Sequence, residues 1–127
     1  MAPKWLFWPA PSGGGSDVTP NAINWADAFS SGGSVSTSAT IGGIDTTITL
    51  SVSWSTVSGL PENYYQLNGG TTVFMDTNPK TFPVVNGDVI VFTLVAGGGP
   101  SEADFTVRNS SDGNVILDTF NLEALDS

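Results

Sequence analysis

The sequence has no cysteine and no histidine. Without cysteine there is no disulfide staple, no thiolate nucleophile and no sulfur ligand for a metal. Without histidine the commonest general base and the commonest metal ligand are missing, and a Ser-His-Asp arrangement is excluded. Basic residues are nearly as scarce. Lys4, Lys80 and Arg108 stand against 12 acids, for a net charge of -9 over 127 residues. Three scattered cations do not make a phosphate-tracking surface, so nucleic acid is not an expected partner. An anionic membrane is disfavoured for the same reason, and the acidic surplus favours solubility. No run approaches the ~20 apolar residues of a membrane span. The apolar block near the start ends at Pro9. It is shorter than the roughly 7–15 residues of a secretory signal, so no signal is expected.

That short block is the most unusual stretch present. Trp5-Leu6-Phe7-Trp8 holds two of the four tryptophans, with Pro3 before it and Pro9 and Pro11 after it. Proline on both sides blocks regular helix and strand. Gly13-Gly14-Gly15 then supplies a loose tether. Residues 1–20 therefore read as an arm and Gly/Ser linker, and residues 21–127 as the body. The arm either folds back on its own body or serves another surface. Large aromatics are the usual anchors of protein interfaces, each worth about 2 kcal/mol or more on truncation. Capture by a partner protein is the favoured expectation, with self-docking and a membrane-interface role as the others.

From Asn21 the hydrophobic period is two. Ile23 and Trp25 suggest a first strand, and Ser34 to Ile41 an edge strand. Thr46 to Trp54 is the clearest: Ile48, Leu50, Val52 and Trp54 share one face, while Thr47, Thr49, Ser51 and Ser53 share the other. Tyr64 to Leu67 and Thr72 to Asp76 flank Asn68-Gly69, a strong hairpin signal. Thr77 to Pro83 reads as a loop. Asp88 to Val95 is almost wholly apolar and suggests a central strand covered on both faces. Ala103 to Val107 and Asn114 to Leu122 follow, joined through Asp112-Gly113, with Phe120 and Leu122 inward. Glu123 to Ser127 reads as an acidic tail. Short strands, glycine-rich turns and no helical period predict an all-β fold. The expected architecture is an antiparallel immunoglobulin-like β-sandwich of seven to nine strands with an extended N-terminal arm.

The order of several motifs resembles a known domain type. Pro20-Asn21-Ala22-Ile23-Asn24-Trp25, Thr40-Ile41-Gly42-Gly43-Ile44 and Ile48-Thr49-Leu50-Ser51-Val52 come first. Tyr65-Gln66-Leu67-Asn68-Gly69-Gly70, Val85-Asn86-Gly87-Asp88-Val89-Ile90-Val91 and Asp118-Thr119-Phe120-Asn121-Leu122 follow. Over residues 20–122 this resembles the immunoglobulin-like β-sandwich of tailed-bacteriophage virion proteins and of repeat-bearing bacterial surface proteins. The resemblance implies display, adhesion or particle reinforcement, and carries no catalytic residues. A single body behind an arm suits a capsid decoration or cement protein on the virion surface. Its partners would be the major capsid protein, or neck and tail subunits in an accessory role. A homo-oligomer is compatible with this. A host- or glycan-binding display module is the further alternative.

Few residues compete with that reading. Glu102 and Asp104 share a strand face, but a solvated face explains them better than glycosidase chemistry. Asp112-Gly113-Asn114 with Asp118 lacks the ligand spacing of a calcium loop. Gly97-Gly98-Gly99-Pro100 carries no lysine and no following helix, so it does not read as a phosphate loop. Of Tyr64 and Tyr65, one must face outward. Trp25 and Trp54 fall in phase with core positions. No catalytic residue, metal or cofactor is expected, and Trp5, Leu6, Phe7 and Trp8 are the expected protein-interaction residues.

Overall fold

The computed structural model describes residues 17–126. Those residues form nine strands in two packed sheets and no helix. The strands are β1 (Ala28–Ser30), β2 (Ser34–Thr40), β3 (Ile48–Ser58), β4 (Glu62–Leu67) and β5 (Thr72–Phe74), then β6 (Lys80–Val84), β7 (Val89–Val95), β8 (Ser101–Asn109) and β9 (Val115–Ala124). A five-stranded sheet runs β1-β9-β8-β3-β6, and a four-stranded sheet runs β2-β7-β4-β5. The chain changes sheet at every connection except β4–β5 and β8–β9, including the crossings from β2 to β3 and from β7 to β8. The pairs β2–β7 and β3–β8 are thereby locked as the Greek-key frame of an immunoglobulin-like sandwich. All pairings are antiparallel except β1 with β9, which is parallel.

Period-two patterning decides what each sheet buries. Ile48, Leu50 and Val52 of β3 point inward, as do Ile90, Phe92 and Leu94 of β7 and Ala103, Phe105 and Val107 of β8. Phe120, Leu122 and Ala124 complete the layer from β9. At its centre Phe105 stacks on Phe120, with ring centroids 5.0 Å apart and planes 6° from parallel. Phe92 sits 5.5 Å from Phe120.

Several local expectations are corrected. Ile23 and Trp25 are buried as expected, but residues 21–27 are extended chain outside any strand. Trp25 anchors there by its indole, which donates to the Ile90 carbonyl at 3.0 Å, while its backbone N–H donates to the Asp118 carboxylate at 2.6 Å. A side chain replaces the ladder partner that a strand would have supplied. Residues 77–83 are not all loop. They contribute β6, an edge strand in which Pro83 is tolerated because an edge has a side that needs no donor. The acidic tail begins later than expected, since Glu123 and Ala124 pair with Glu102 and Ser101. Asn68 and Gly69 both hold positive φ, 53° and 71°, as an Asn-Gly hairpin requires.

At the start of β6, Lys80 Nζ lies 2.9 Å from Asp76 Oδ1. The hydrogen bond from Lys80, then its positive charge, hold the Asp76 carboxyl below the ordinary aspartate value. A lowered folded-state pKa adds stability above the unfolded-state value, and that stability is lost as pH falls through the folded one. The pair is exposed, so the increment is small. In a carboxyl NMR titration, Lys80→Gln is expected to move the Asp76 midpoint upward. An unchanged midpoint would remove the ion pair as the cause.

Candidate interaction surface

Trp5, Leu6, Phe7 and Trp8 lie outside the described residues. Asp17, the first described residue after them, is tied to the body. The Asp17 N–H donates to the Asp45 carboxylate, and the Asp17 carbonyl accepts from the Asp45 N–H at 3.2 Å. The Asp17 carboxylate accepts from the Thr19 N–H at 3.0 Å. Asn109 Nδ2 donates to the Val18 carbonyl at 2.7 Å, and the Asn21 N–H donates to the Gly42 carbonyl at 2.8 Å. Asp17 and Val18 are thus hydrogen-bonded to the body, ahead of Asn21. They sit at the end of the sandwich built from the β2–β3, β6–β7 and β8–β9 connections. The C-terminal residues lie at the other end, where the N–H groups of Leu125 and Asp126 donate to the carbonyls of Ser30 and Gly32. Beside the exit, Ile44, Asp45, Thr46, Thr47, Val85 and Asn86 line a shallow depression of about 280 Å³.

The β6–β7 turn at this end is held by side chains. Asp88 is buried, and its carboxylate accepts from the Val85 N–H and from Asn68 Nδ2, both at 2.8 Å. Asn68 Oδ1 in turn accepts from the Val89 N–H at 2.8 Å. The Asn-Gly and Asn-Gly-Asp motifs that look independent in sequence are therefore one network.

The two outer faces differ in chemistry. On the five-stranded sheet, Glu102, Asp104, Arg108 and Glu123 alternate with inward residues. Asn121 Nδ2 donates to Glu102 at 2.9 Å and to Asp104 at 2.8 Å, and the Asn121 N–H donates to Asp27 at 2.9 Å. Glu102 and Asp104 do share a face, as their spacing predicts. An amide bridges them, which binds these carboxylates into the sheet as a structural network. Among the described residues no group of three or more acids, His or Cys is placed to hold a metal. Asp118 is committed to the Trp25 N–H, away from the Asp112-Gly113-Asn114 turn.

The four-stranded sheet presents almost no charge. From β2 it exposes Ser34, Ser36, Ser38 and Thr40. From β7 it presents Val89, Val91, Thr93 and Val95 outward. Rows of partners cross the face: Ser36 faces Thr93, Thr93 faces Tyr64, and Tyr64 faces Phe74. Ser36 and Thr93 hydroxyls meet at 2.7 Å. The Tyr64 and Phe74 rings are 5.5 Å apart, tilted by 55°, and Phe74 is 47% exposed. Glu62, on β4, is the charged residue of this face. The Tyr64 hydroxyl donates to it at 3.0 Å. That hydrogen bond, aided by partial desolvation and the Glu62 charge, raises the phenol pKa and keeps the hydroxyl a donor.

The tyrosine pair divides as strand geometry demands. Tyr65 turns inward and stacks on Phe82 at 3.9 Å and 6°. Trp54 packs partly against the core, and Asn78 pairs with its backbone on both sides, at 3.2 Å and 2.8 Å. The expectation that β7 is covered on both faces is corrected: Val89 is 38% exposed and its outward neighbours are half-buried. An apolar run predicts cover on both faces, but a sandwich supplies a second layer on one face only. The signal that could have found this surface is the pairing of that run with Ser/Thr-rich β2 and with Tyr64.

No family model matches this chain, and no curated protein matches it. Three solved structures are similar to this chain over most of its length. The N-terminal domain of PorA is 12% identical, over 83% of this chain and 89% of that one, with a TM-score of 0.44. A lipoprotein from Bacteroides thetaiotaomicron is 8% identical over 86% and 79%, with a TM-score of 0.49. A conjugative transposon lipoprotein from Bacteroides eggerthii is 11% identical over 83% and 90%, with a TM-score of 0.39. None of the three is described as a virion protein.

Proposed function

We propose that this protein is a non-enzymatic virion structural protein of capsid decoration type. On this reading its aromatic arm, Trp5 to Trp8, anchors it to neighbouring subunits and its body stands on the particle. The observation that supports this is the arm's exit. The sandwich fills its own core with in-phase residues, so it does not need the arm's four large side chains for closure. The chain leaves through a hydrogen-bonded collar at Asp17, at the end opposite the C-terminus. A segment carrying aromatic anchors can bind a partner and span a seam between subunits. A tail, baseplate or neck accessory role uses the same arm logic.

One observation favours a second reading. The outward-facing Tyr64–Phe74 pair, of which Phe74 is exposed, lies beside Glu62 and Gln66, and an aromatic surface flanked by a carboxylate and an amide suits a host glycan. Deleting residues 2–15 is expected to leave a folded body that no longer joins its particle. Retained normal occupancy would end the anchoring reading, and glycan-array binding by the truncated body would promote the display reading.

A further inference from the structure

We propose that the outer face of the four-stranded sheet is the docking site of the chain's own residues 5–8. The face carries an apolar strip, Val89, Val91 and Val95, next to Tyr64 and Phe74, and its one charged residue is Glu62. The rest of the body is strongly acidic, so this is where an apolar segment meets the least repulsion and desolvation. The arm complements it. Residues 1–16 contain Lys4 and no acid, beside four large apolar side chains.

Reach and area agree. Asp17 is bonded to Asp45 in the β2–β3 connection, and in the same connection Gly42, which accepts from Asn21, adjoins the Ile41–Asp88 hydrogen bond at the start of β7. Eight residues lie between Trp8 and Asp17, and the nine Cα steps joining them span up to about 30 Å when extended. The seven residues of β7 need only about 23 Å. From strand spacing and rise, the face covers on the order of 400 Å². A stable dimer buries about 800 Å² per partner, so face-to-face pairing of two copies falls short by half. Two Trp, a Phe and a Leu half-buried supply an area close to that of the face, since each aromatic can bury about 150–250 Å². The tether also holds the arm at an effective concentration in the millimolar range, which favours the same chain over a second copy. Pro9 and Pro11 disfavour strand addition at a sheet edge and leave the face as the surface to cover.

The inference goes beyond the anchoring reading. It concerns the isolated protein, whereas anchoring is read from particle occupancy, so either can fail alone. The chain has no cysteine, so Ala10→Cys gives one site for a nitroxide spin label on the full-length protein. The amide signals of Val89, Val91 and Thr93 are expected to weaken severalfold, and those of Thr106 and Thr119 on the opposite sheet far less. Val91→Lys and, separately, Phe74→Ser should abolish that pattern while the spectrum stays dispersed. Equal broadening on both sheets, or a pattern unchanged in both variants, would overturn the proposal. So would broadening seen only when spin-labelled protein is mixed with a second, isotope-labelled copy, because the occupant would then be another molecule.

Discussion

Trp25→Ala is expected to destabilise the domain by about 3–5 kcal/mol, the range for removing a large buried aromatic. Trp25 is fully buried, outside any strand, and touches both sheets. Its ring meets Phe92 edge-on at 5.3 Å and lies 6.1 Å from Phe120. Its indole N–H is spent on the Ile90 carbonyl of the four-stranded sheet. Its backbone N–H is spent on Asp118 of the five-stranded sheet. Alanine leaves a cavity between the sheets and frees the segment from 21 to 27. Trp25→Phe keeps much of the volume and loses one hydrogen bond, so it should lose distinctly less. Urea unfolding of the two variants against wild type measures this. A loss below about 1 kcal/mol for Trp25→Ala would mean that the site collapses and that the indole is no keystone.

Gly59→Ala is the second large effect, about 3 kcal/mol, and it has an internal control. Gly59 and Gly69 both hold φ at 71°. A β-carbon at Gly69 meets nothing within 4 Å. At Gly59 it falls 2.3 Å from Ser101 Oγ, 2.4 Å from the Pro100 carbonyl oxygen and 2.9 Å from Ser101 Cα. Gly69→Ala therefore reports the left-handed backbone alone, roughly 1–2 kcal/mol. Gly59→Ala adds an overlap with backbone that can be relieved only by moving the β7–β8 loop, a further 1–3 kcal/mol by the usual scale of overpacking. The loop is not free to move, because Leu60 N–H donates to the Gly97 carbonyl at 2.9 Å and Ser101 Oγ bonds within the same turn. Equal losses for the two variants would show that the overlap relaxes without cost.

Much of the architecture was legible in the chain. The alternation from Ile48 to Trp54 placed the inner face of β3, and Phe120 and Leu122 placed that of β9. The Asn-Gly signal marked the β4–β5 hairpin. These are local properties: a period of two and a demand for positive φ are written in neighbouring residues. The strand at Lys80–Val84 was hidden because its proline argues against a strand, and only a position at a sheet edge lifts that objection. The extended segment through Trp25 was hidden for the converse reason. Its pattern is that of a strand, but its partners are the Asp118 carboxylate and the Ile90 carbonyl, 93 and 65 residues away.

The sequence by itself determined an all-β body without histidine or cysteine chemistry. It also set an acidic surplus and an aromatic block, Trp5 to Trp8, behind a glycine tether. Each of these depends on composition and short-range order. Only the tertiary structure decided how charge is divided between the faces. Glu102, Asp104 and Asp27 gather around Asn121 on one sheet, and Val91, Thr93, Tyr64 and Phe74 line up on the other. No window of sequence contains either surface. Each is assembled from strands that are remote along the chain, and register across the sheet, fixed by burial of the opposite face, selects which residues meet.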